Sequence, residues 1–132
     1  MNELDEVRQI IVIRKDLKMR KGKMVAQGAH ASMKPILDQL YSDEGTLNFK
    51  MDKNNPIYNW INGSFVKIVV GVNSLEELEE LESEASKSNI LVSKITDEGR
   101  TTFNNNITVT ALAIGPEWKS KLEPITGNLK LL

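Results

Sequence analysis

Residues 8–14 read RQIIVIR. The four residues at its centre, Ile10 to Ile13, are all β-branched and form an apolar run with no polar alternation. Such a run is typical of a strand that is buried on both faces, in the middle of an α/β sheet. We therefore expect this segment to be the central strand of the fold, with the remaining elements arranged around it.

Outward from this strand, the patterns predict three more strands and three principal helices. At 132 residues a single domain over residues 1–132 is the default expectation. The order of elements predicts an α/β fold with a mixed four-stranded sheet and helices on both faces. Ser74 and Glu77 form a predicted capping box before one helix. The predicted strands lie at residues 65–72, 90–96 and 107–114, with Gly115-Pro116 expected to stop the last of them.

The helix that begins near Gly22 is expected to bury an apolar stripe and to present a polar one. Pro35 is expected to kink or divide this helix. The apolar stripe, expected to form the core face, contains Val25, Ala29, Met33, Ile36 and Leu40. The polar stripe, expected to face outward or into a cleft, contains Lys23, Gln27, His30 and Lys34.

Composition excludes several classes of site and protein. The chain has no cysteine and one histidine, which excludes disulfides, thiolate nucleophiles and paired-histidine metal motifs. No apolar run approaches the ~20 residues that span a bilayer. The first residues are acidic and lack the apolar core of a signal peptide, so a cytoplasmic location is expected.

The net charge is only −1, but the cations are clustered. A basic loop precedes the helix that carries Lys23, Gln27 and His30 on one face. A basic loop beside a polar stripe suits a polyanion with a chemical site next to it. Lys23 can bind a phosphate or stabilise an oxyanion, and the structural alternative is an ordinary solvated lysine. His30 is a candidate for acid–base chemistry, and the alternative is a histidine whose hydrogen bonds are only structural. The cations of the loop and helix start are Lys15, Lys18, Arg20, Lys21 and Lys23.

A second cluster, Asp97-Glu-Gly99-Arg100-Thr101, directly follows the predicted third strand. Ligand groups in α/β sheets gather in loops at the carboxyl ends of strands. Asp97 can act as a general base or orient a water, and Gly99 is expected to have a positive φ. The structural alternative is an ordinary tight turn. Thr110 lies on the fourth strand, where buried threonines are common. These residue types indicate a nucleotide- or RNA-directed hydrolase, or an RNA-binding module.

Taken together, these segments resemble the archaeal/eukaryotic-type (type 2) peptidyl-tRNA hydrolase family. The resemblance runs from about residue 9 to residue 132, with Gly28 in place of a usual cysteine and an altered loop at 102–106. The blocks that carry it are Lys15-Asp16-Leu17-Lys18-Met19 with Lys21-Gly22-Lys23, Ala26-Gln27-x-x-His30-Ala31, Trp60 followed by Val66-Lys67-Ile68-Val69-Val70, Asp97-x-Gly99-Arg100-Thr101, Ala113-Ile114-Gly115-Pro116 and Ile125-Thr126-Gly127-x-Leu129-Lys130-Leu131-Leu132.

This resemblance implies hydrolysis of the ester that joins a peptide to tRNA, without a metal or another cofactor, by a protein that is often a homodimer. Its substrate would be the acceptor end of peptidyl-tRNA, with no membrane partner. The catalytic residues carried over are Lys23, His30, Asp97, Thr101 and Thr110. The substrate-binding residues are Gln27, Arg100, Lys15, Lys18, Arg20 and Lys21.

Our hypothesis is that Asp97, with Thr101 or Thr110, positions a water and receives its proton, while Lys23 stabilises the oxyanion or the leaving ribose oxygen. It requires the amine of Lys23 to lie within a substrate's width of the Asp97 carboxylate, in a groove open to solvent. The alternatives are a non-catalytic RNA-binding or regulatory protein with this fold, and a small α/β interaction domain.

Overall fold

The structure, a computed structural model, describes residues 5–99, 103 and 106–132. Strands and helices alternate along most of the chain, as predicted. The strands are β1 (Val7–Arg14), β2 (Tyr41–Asp43), β3 (Thr46–Asn48), β4 (Val66–Val72), β5 (Val92–Asp97) and β6 (Thr108–Trp118). The helices are α1 (Lys21–Leu37), α2 (Pro56–Ile61), α3 (Leu75–Lys87) and α4 (Lys119–Thr126), with a 3-10 turn at Lys15–Leu17.

Within the described residues, the main sheet has four strands in the order β4-β1-β6-β5. β1 pairs in parallel with β4 and antiparallel with β6, and β5 pairs antiparallel with β6. The predicted mixed sheet is therefore confirmed, and β1 occupies its interior as its apolar run indicates. β2 and β3 form a separate hairpin.

Alternate residues of β1 enter two different cores. Ile10 and Val12 pack in a cluster with Leu78 of α3 and Leu122 of α4. Ile11 and Ile13 pack in a second cluster on the α1 side of the sheet. Because successive side chains of a strand point to opposite faces, this division places helices on both faces of the sheet, as predicted.

The predicted core face of α1 is wrong. Val25 is 72% exposed and Met33 is 51% exposed, whereas Gln27, Ala31 and Pro35 are buried. The predicted stripe also ran to residue 40, beyond the end of α1 at Leu37. Small Ala31 allows α1 to approach the sheet closely, and a hydrogen bond compensates the burial of the Gln27 amide. Pro35 lies in the last turn and does not divide the helix.

The predicted end of the last strand is also wrong, because β6 continues through Gly115 and Pro116 to Trp118. The pairing of β1 with β6 shifts register here, with Arg8 opposite Glu117 and Ile10 opposite Ile114. Proline is compatible with a strand at such an irregularity, where a ladder hydrogen bond is already missing. The predicted N-cap of α3 is confirmed, since Ser74 Oγ accepts a hydrogen bond from the Glu77 amide at 3.1 Å. The Glu77 side chain accepts from the Asn73 amide at 2.8 Å and not from that of Ser74, so the predicted capping box is only half formed. In the described part of the chain, no helix is long and apolar enough to cross a membrane.

Candidate active site

An ion pair between α1 and β5 forms the centre of the candidate site. Lys23 lies in the first turn of α1, and Asp97 is the last residue of β5. Lys23 Nζ lies 2.8 Å from Asp97 Oδ1, and the two side chains are 19% and 15% exposed. The predicted proximity of these groups is thus confirmed, although they touch directly and leave no substrate's width between them. The pair remains partly accessible to solvent.

A tight turn holds the second oxygen of the Asp97 carboxylate. Oδ2 accepts a hydrogen bond from the Gly99 amide at 2.9 Å. Gly99 has φ +81°, and a Cβ at this position would lie 2.1 Å from the carbonyl oxygen of Asn106. Only glycine fits both the backbone angle and the space, so the expected positive φ at Gly99 is confirmed. The turn therefore fixes the carboxylate in a defined orientation toward α1.

These contacts keep Asp97 ionised. The hydrogen bond from Lys23 is the main cause of a lowered pKa for Asp97, and the Gly99 amide and the charges of Lys23 and His30 act in the same direction. Partial burial raises the pKa, but its effect is the smaller one. At neutral pH the site accordingly holds a carboxylate beside an ammonium group.

The lowered pKa predicts how pH affects stability. A carboxyl group whose pKa is lower in the folded than in the unfolded state stabilises the fold above its unfolded pKa of about 3.9, and this contribution disappears as the pH falls through its folded pKa. Asp97→Asn is therefore expected to be less stable than the wild type at pH 7, with a difference that shrinks below about pH 4. Urea unfolding at pH 7, 5 and 3.5 measures this difference.

Asp38→Asn is the matched control for this prediction. Asp38 forms an exposed ion pair with Lys34 at 3.3 Å on the same helix. Exposed pairs contribute little to stability, so this variant is expected to unfold close to the wild type at each pH. If the gap between wild type and Asp97→Asn widened on acidification, the assigned direction of the Asp97 pKa shift would be wrong.

A buried polar pair also joins α1 to the sheet. Thr110 is fully buried in β6, and its hydroxyl donates a hydrogen bond to Gln27 Oε1 of α1. β5 pairs Ile95 with Ala111 but Thr96 with Val109, so Thr110 falls at this shift of register. At this irregularity in the pairing of β5 with β6, the Thr110 hydroxyl faces α1. The Thr110 hydroxyl is thus positioned to orient Gln27.

The other predicted site residues divide into those that the structure describes and those that it does not. His30 is exposed on α1, one turn beyond Gln27, and its charge contributes to the lowered pKa of Asp97. Arg100 and Thr101 lie outside the described residues, as do Thr102 and residues 104–105 of the altered loop. The cations of the basic loop, all exposed and all without an ion pair in the described part of the chain, are Lys15, Lys18, Arg20 and Lys21.

Helix geometry adds to the positive potential of this region. Arg20 is the N-cap of α1, with an extended backbone, and its side chain makes no capping hydrogen bond. The first turn of a helix has unpaired N–H groups that attract anions. Lys23 lies in this turn, so its ammonium group and the helix end favour negative charge at the same place.

Sequence reasoning missed two residues that shape the site. Arg14 donates to the Val109 carbonyl at 2.9 Å and binds Asp16 through two nitrogens, at 2.6 and 3.2 Å. It thereby ties the 3-10 turn of the basic loop to β6. The signal was available, because an arginine that ends a buried strand two residues before an aspartate can pair with it. The ring of Phe103 lies 5.9 Å from Lys23 Nζ, a contact that no sequence pattern indicates.

The arrangement can perform acid–base and electrostatic chemistry. It supplies an ionised carboxylate, an ammonium group and an oriented amide. Among the residues that the structure describes, no group of three or more histidine, aspartate or glutamate side chains could hold a metal ion. A carboxylate can hold a nucleophilic water, and an ammonium group can stabilise the negative charge that develops on an attacked carbonyl.

Comparison with known proteins relates the chain to a family. The family model described as "Peptidyl-tRNA hydrolase PTH2" matches residues 7–132. The chain is 40% identical over 126 residues to a peptidyl-tRNA hydrolase of Methanocaldococcus jannaschii, covering 96% of this chain and 100% of that protein. It is 37% identical to a peptidyl-tRNA hydrolase of Saccharolobus islandicus and 36% identical to one of Methanothermobacter thermautotrophicus. These two alignments cover 96% of this chain, and 99% and 100% of the relatives.

Proposed function

The chain belongs to the PTH2 family of peptidyl-tRNA hydrolases, and from this premise we propose that it hydrolyses the ester between the peptide and the terminal ribose of peptidyl-tRNA. The observation that carries the proposal is the 2.8 Å contact between Lys23 and Asp97 beside a basic loop. It combines a site for water attack with a surface for a polyanion. The products are a free peptide and a tRNA that can be charged again.

Lys23 stabilises the negative charge that forms during the reaction. Its ammonium group has three N–H donors, of which one binds Asp97 Oδ1. The others can donate to the ester carbonyl oxygen and, as the intermediate collapses, to the leaving ribose oxygen. This interaction strengthens as charge develops, which lowers the barrier.

Asp97 holds the attacking water and takes its proton. Each carboxylate oxygen has two lone pairs, and within the described part of the chain the hydrogen bonds from Lys23 and Gly99 occupy one on each oxygen. The other lone pairs can accept a hydrogen bond from the water. The proton that Asp97 receives in the attack then passes to the ribose oxygen as the bond between that oxygen and the carbonyl carbon breaks. When the Lys23 ammonium group turns toward the developing oxyanion, Asp97 loses part of the contact that lowers its pKa and becomes a better base.

The other predicted residues place the substrate. Gln27, oriented by Thr110, hydrogen-bonds the acceptor end. His30 lies on the side toward which the bound peptide extends. Thr110 is buried, so we assign it an orienting role through Gln27. Arg100 and Thr101 keep the binding and catalytic roles that the family resemblance implies.

The basic loop is proposed to bind acceptor-stem phosphates without reading sequence. Replacing Lys18 and Lys21 by glutamine is expected to raise KM with little change in kcat, because both contribute to binding and neither touches the ester. The slope of log KM against log salt should become flatter by an amount that reflects about two lost phosphate contacts. Steady-state assays from 50 to 300 mM KCl measure it, and an unchanged slope would contradict the phosphate role.

A direct assay tests the function. The purified chain is incubated with N-acetylaminoacyl-tRNA and with free aminoacyl-tRNA, each with and without EDTA. Release from the blocked substrate alone, unaffected by EDTA, is the expected result for a metal-independent enzyme of this class. Tight binding without release would instead indicate a non-catalytic RNA-binding protein, and neither binding nor release would leave an interaction domain.

The assembly and location are part of the proposal. A groove of about 740 Å³ between α1 and β4 is lined by exposed apolar side chains, including Val25, Phe65 and Leu132. Apolar patches of this kind commonly mark interaction surfaces, which supports a homodimer of single-domain chains spanning residues 1–132. Sedimentation velocity across a concentration series tests the dimer. A cytoplasmic location follows from the proposed substrate, a product of translation.

A further inference from the structure

The two edges of the main sheet differ. The outer edge of β4 is covered by the C-terminal residues, since Leu132 N donates to the Val69 carbonyl at 3.0 Å and Gly71 N donates to the Lys130 carbonyl at 3.1 Å. β5 forms the other edge, and no strand among residues 5–99, 103 and 106–132 pairs with its outer side. An open edge of this kind is a template for another extended chain. β5 ends at Asp97, in the candidate active site.

A groove of about 660 Å³ runs between this open edge and α1. Three consecutive β5 residues, at positions 94–96, line it together with Ala29 and His30 of α1. Successive side chains of a strand point to opposite faces of the sheet. A groove that touches three in a row must therefore reach the backbone edge of β5, where N–H and C=O groups lie.

We propose that the peptide part of peptidyl-tRNA binds in this groove as an added strand, parallel to β5. This inference rests on the proposed function. The ester must lie at Lys23 and Asp97, so the C-terminal residue of the peptide lies at the C-terminal end of β5, and the preceding residues run back along the strand. Backbone pairing recognises any peptide sequence, which suits a substrate whose side chains vary.

Charge distinguishes this groove from the basic loop. Lys34 is paired with Asp38 at 3.3 Å, and Lys94 is paired with Glu82 at 3.6 Å. The cations of the basic loop have no such partners in the described part of the chain. The exposed side chains of Met33 and Leu37 add apolar contact surface to the groove wall. A groove wall with paired charges and apolar side chains suits a peptide better than a chain of phosphates. The tRNA and the peptide of the bound substrate therefore extend from the site in different directions.

The length of the edge sets the number of peptide residues that it can bind. Three β5 residues span about 10 Å at ~3.3 Å per residue, which corresponds to about three residues of a parallel strand. The value of kcat/KM is expected to rise from N-acetylaminoacyl-tRNA to the tri- or tetrapeptidyl substrate and then to level off. Each added backbone hydrogen bond should raise kcat/KM by roughly 2- to 10-fold.

The test compares N-acetylated mono-, di-, tri-, tetra- and hexapeptidyl-tRNA of polyalanine sequence with a tetrapeptidyl-tRNA methylated on its peptide nitrogens. Methylation removes the N–H donors and obstructs strand pairing. The methylated substrate is expected to react no faster than N-acetylaminoacyl-tRNA. Lys34→Trp, which fills the groove, should reduce the ratio of tetrapeptidyl to monoaminoacyl rates. Lys87→Trp, on an exposed lysine in the last turn of α3, should leave that ratio unchanged.

The outcomes separate this inference from the proposed function. Hydrolysis of all substrates at equal kcat/KM, or equal rates for methylated and unmethylated tetrapeptides, would overturn the groove assignment and leave the hydrolase intact. Failure to release product from any substrate would overturn the proposed function, and the groove assignment with it.

Discussion

Replacement of Asp97 by alanine is expected to lower kcat/KM for N-acetylaminoacyl-tRNA by at least about 10²-fold, the lower bound for loss of general acid–base assistance. The carboxylate holds the attacking water in the proposed reaction, and no other described carboxylate is joined to Lys23. Asp97→Asn should lose a similar factor, although it keeps the size of the side chain and an oxygen for the Gly99 amide. A large loss in both variants would assign the effect to charge rather than to packing.

The control is Asp38→Ala, which removes the carboxylate of the exposed ion pair with Lys34 at the C-terminal end of α1. It is expected to retain activity with N-acetylaminoacyl-tRNA within a few-fold. Circular dichroism and thermal unfolding establish that each variant is folded before the rates are compared. Turnover close to that of the wild type in Asp97→Ala would remove this residue from the mechanism.

Replacement of Lys23 by alanine is expected to lower kcat/KM by about 10²–10³-fold, the range for loss of one donor to an oxyanion. Most of the loss should appear in kcat, since the ammonium group binds the transition state more tightly than the substrate. Lys23→Met is the near-isosteric companion that retains the apolar stem. Full activity in either variant would exclude an electrostatic role for Lys23.

The two substitutions are expected not to be additive. Lys23 and Asp97 touch, and in the proposed reaction both act in the attack of water on the ester. The loss of kcat/KM in the double variant should therefore be smaller than the product of the two single losses. A double-mutant cycle on kcat/KM measures this coupling, with the exposed pair of Lys34 and Asp38 as the reference. Strictly multiplicative losses would mean that the two residues act at separate steps.

The local elements were predictable because their signals are local. The β-branched run of β1, the Ser74 N-cap and the positive φ of Gly99 each depend on neighbouring residues, and all three are confirmed. The candidate site was less accessible to such reasoning. Residue types alone left a hydrolase and a binding module both open, and the family resemblance was needed to combine the segments around residues 23 and 97.

The buried face of α1 shows where sequence patterns fail. A helical period identifies two stripes, but it does not say which one contacts the sheet. Gln27 is buried because Thr110, 83 positions away, donates a hydrogen bond to it, whereas the more apolar stripe with Val25 and Met33 lies at the grooves beside the helix. Burial of a polar side chain depends on its partner, and that partner is known only after folding.

By itself, the sequence determined the four strands of the main sheet and the main helices, the central place of β1 and the residues able to carry charge or protons. These follow from short-range periodicity, side-chain shape and ionisation chemistry. Only the tertiary structure decided that Lys23 and Asp97 are in direct contact, that Thr110 lies under α1 and that the β5 edge stays open beside the site. Each of those depends on strand order and register, which arise from contacts between segments far apart in the chain.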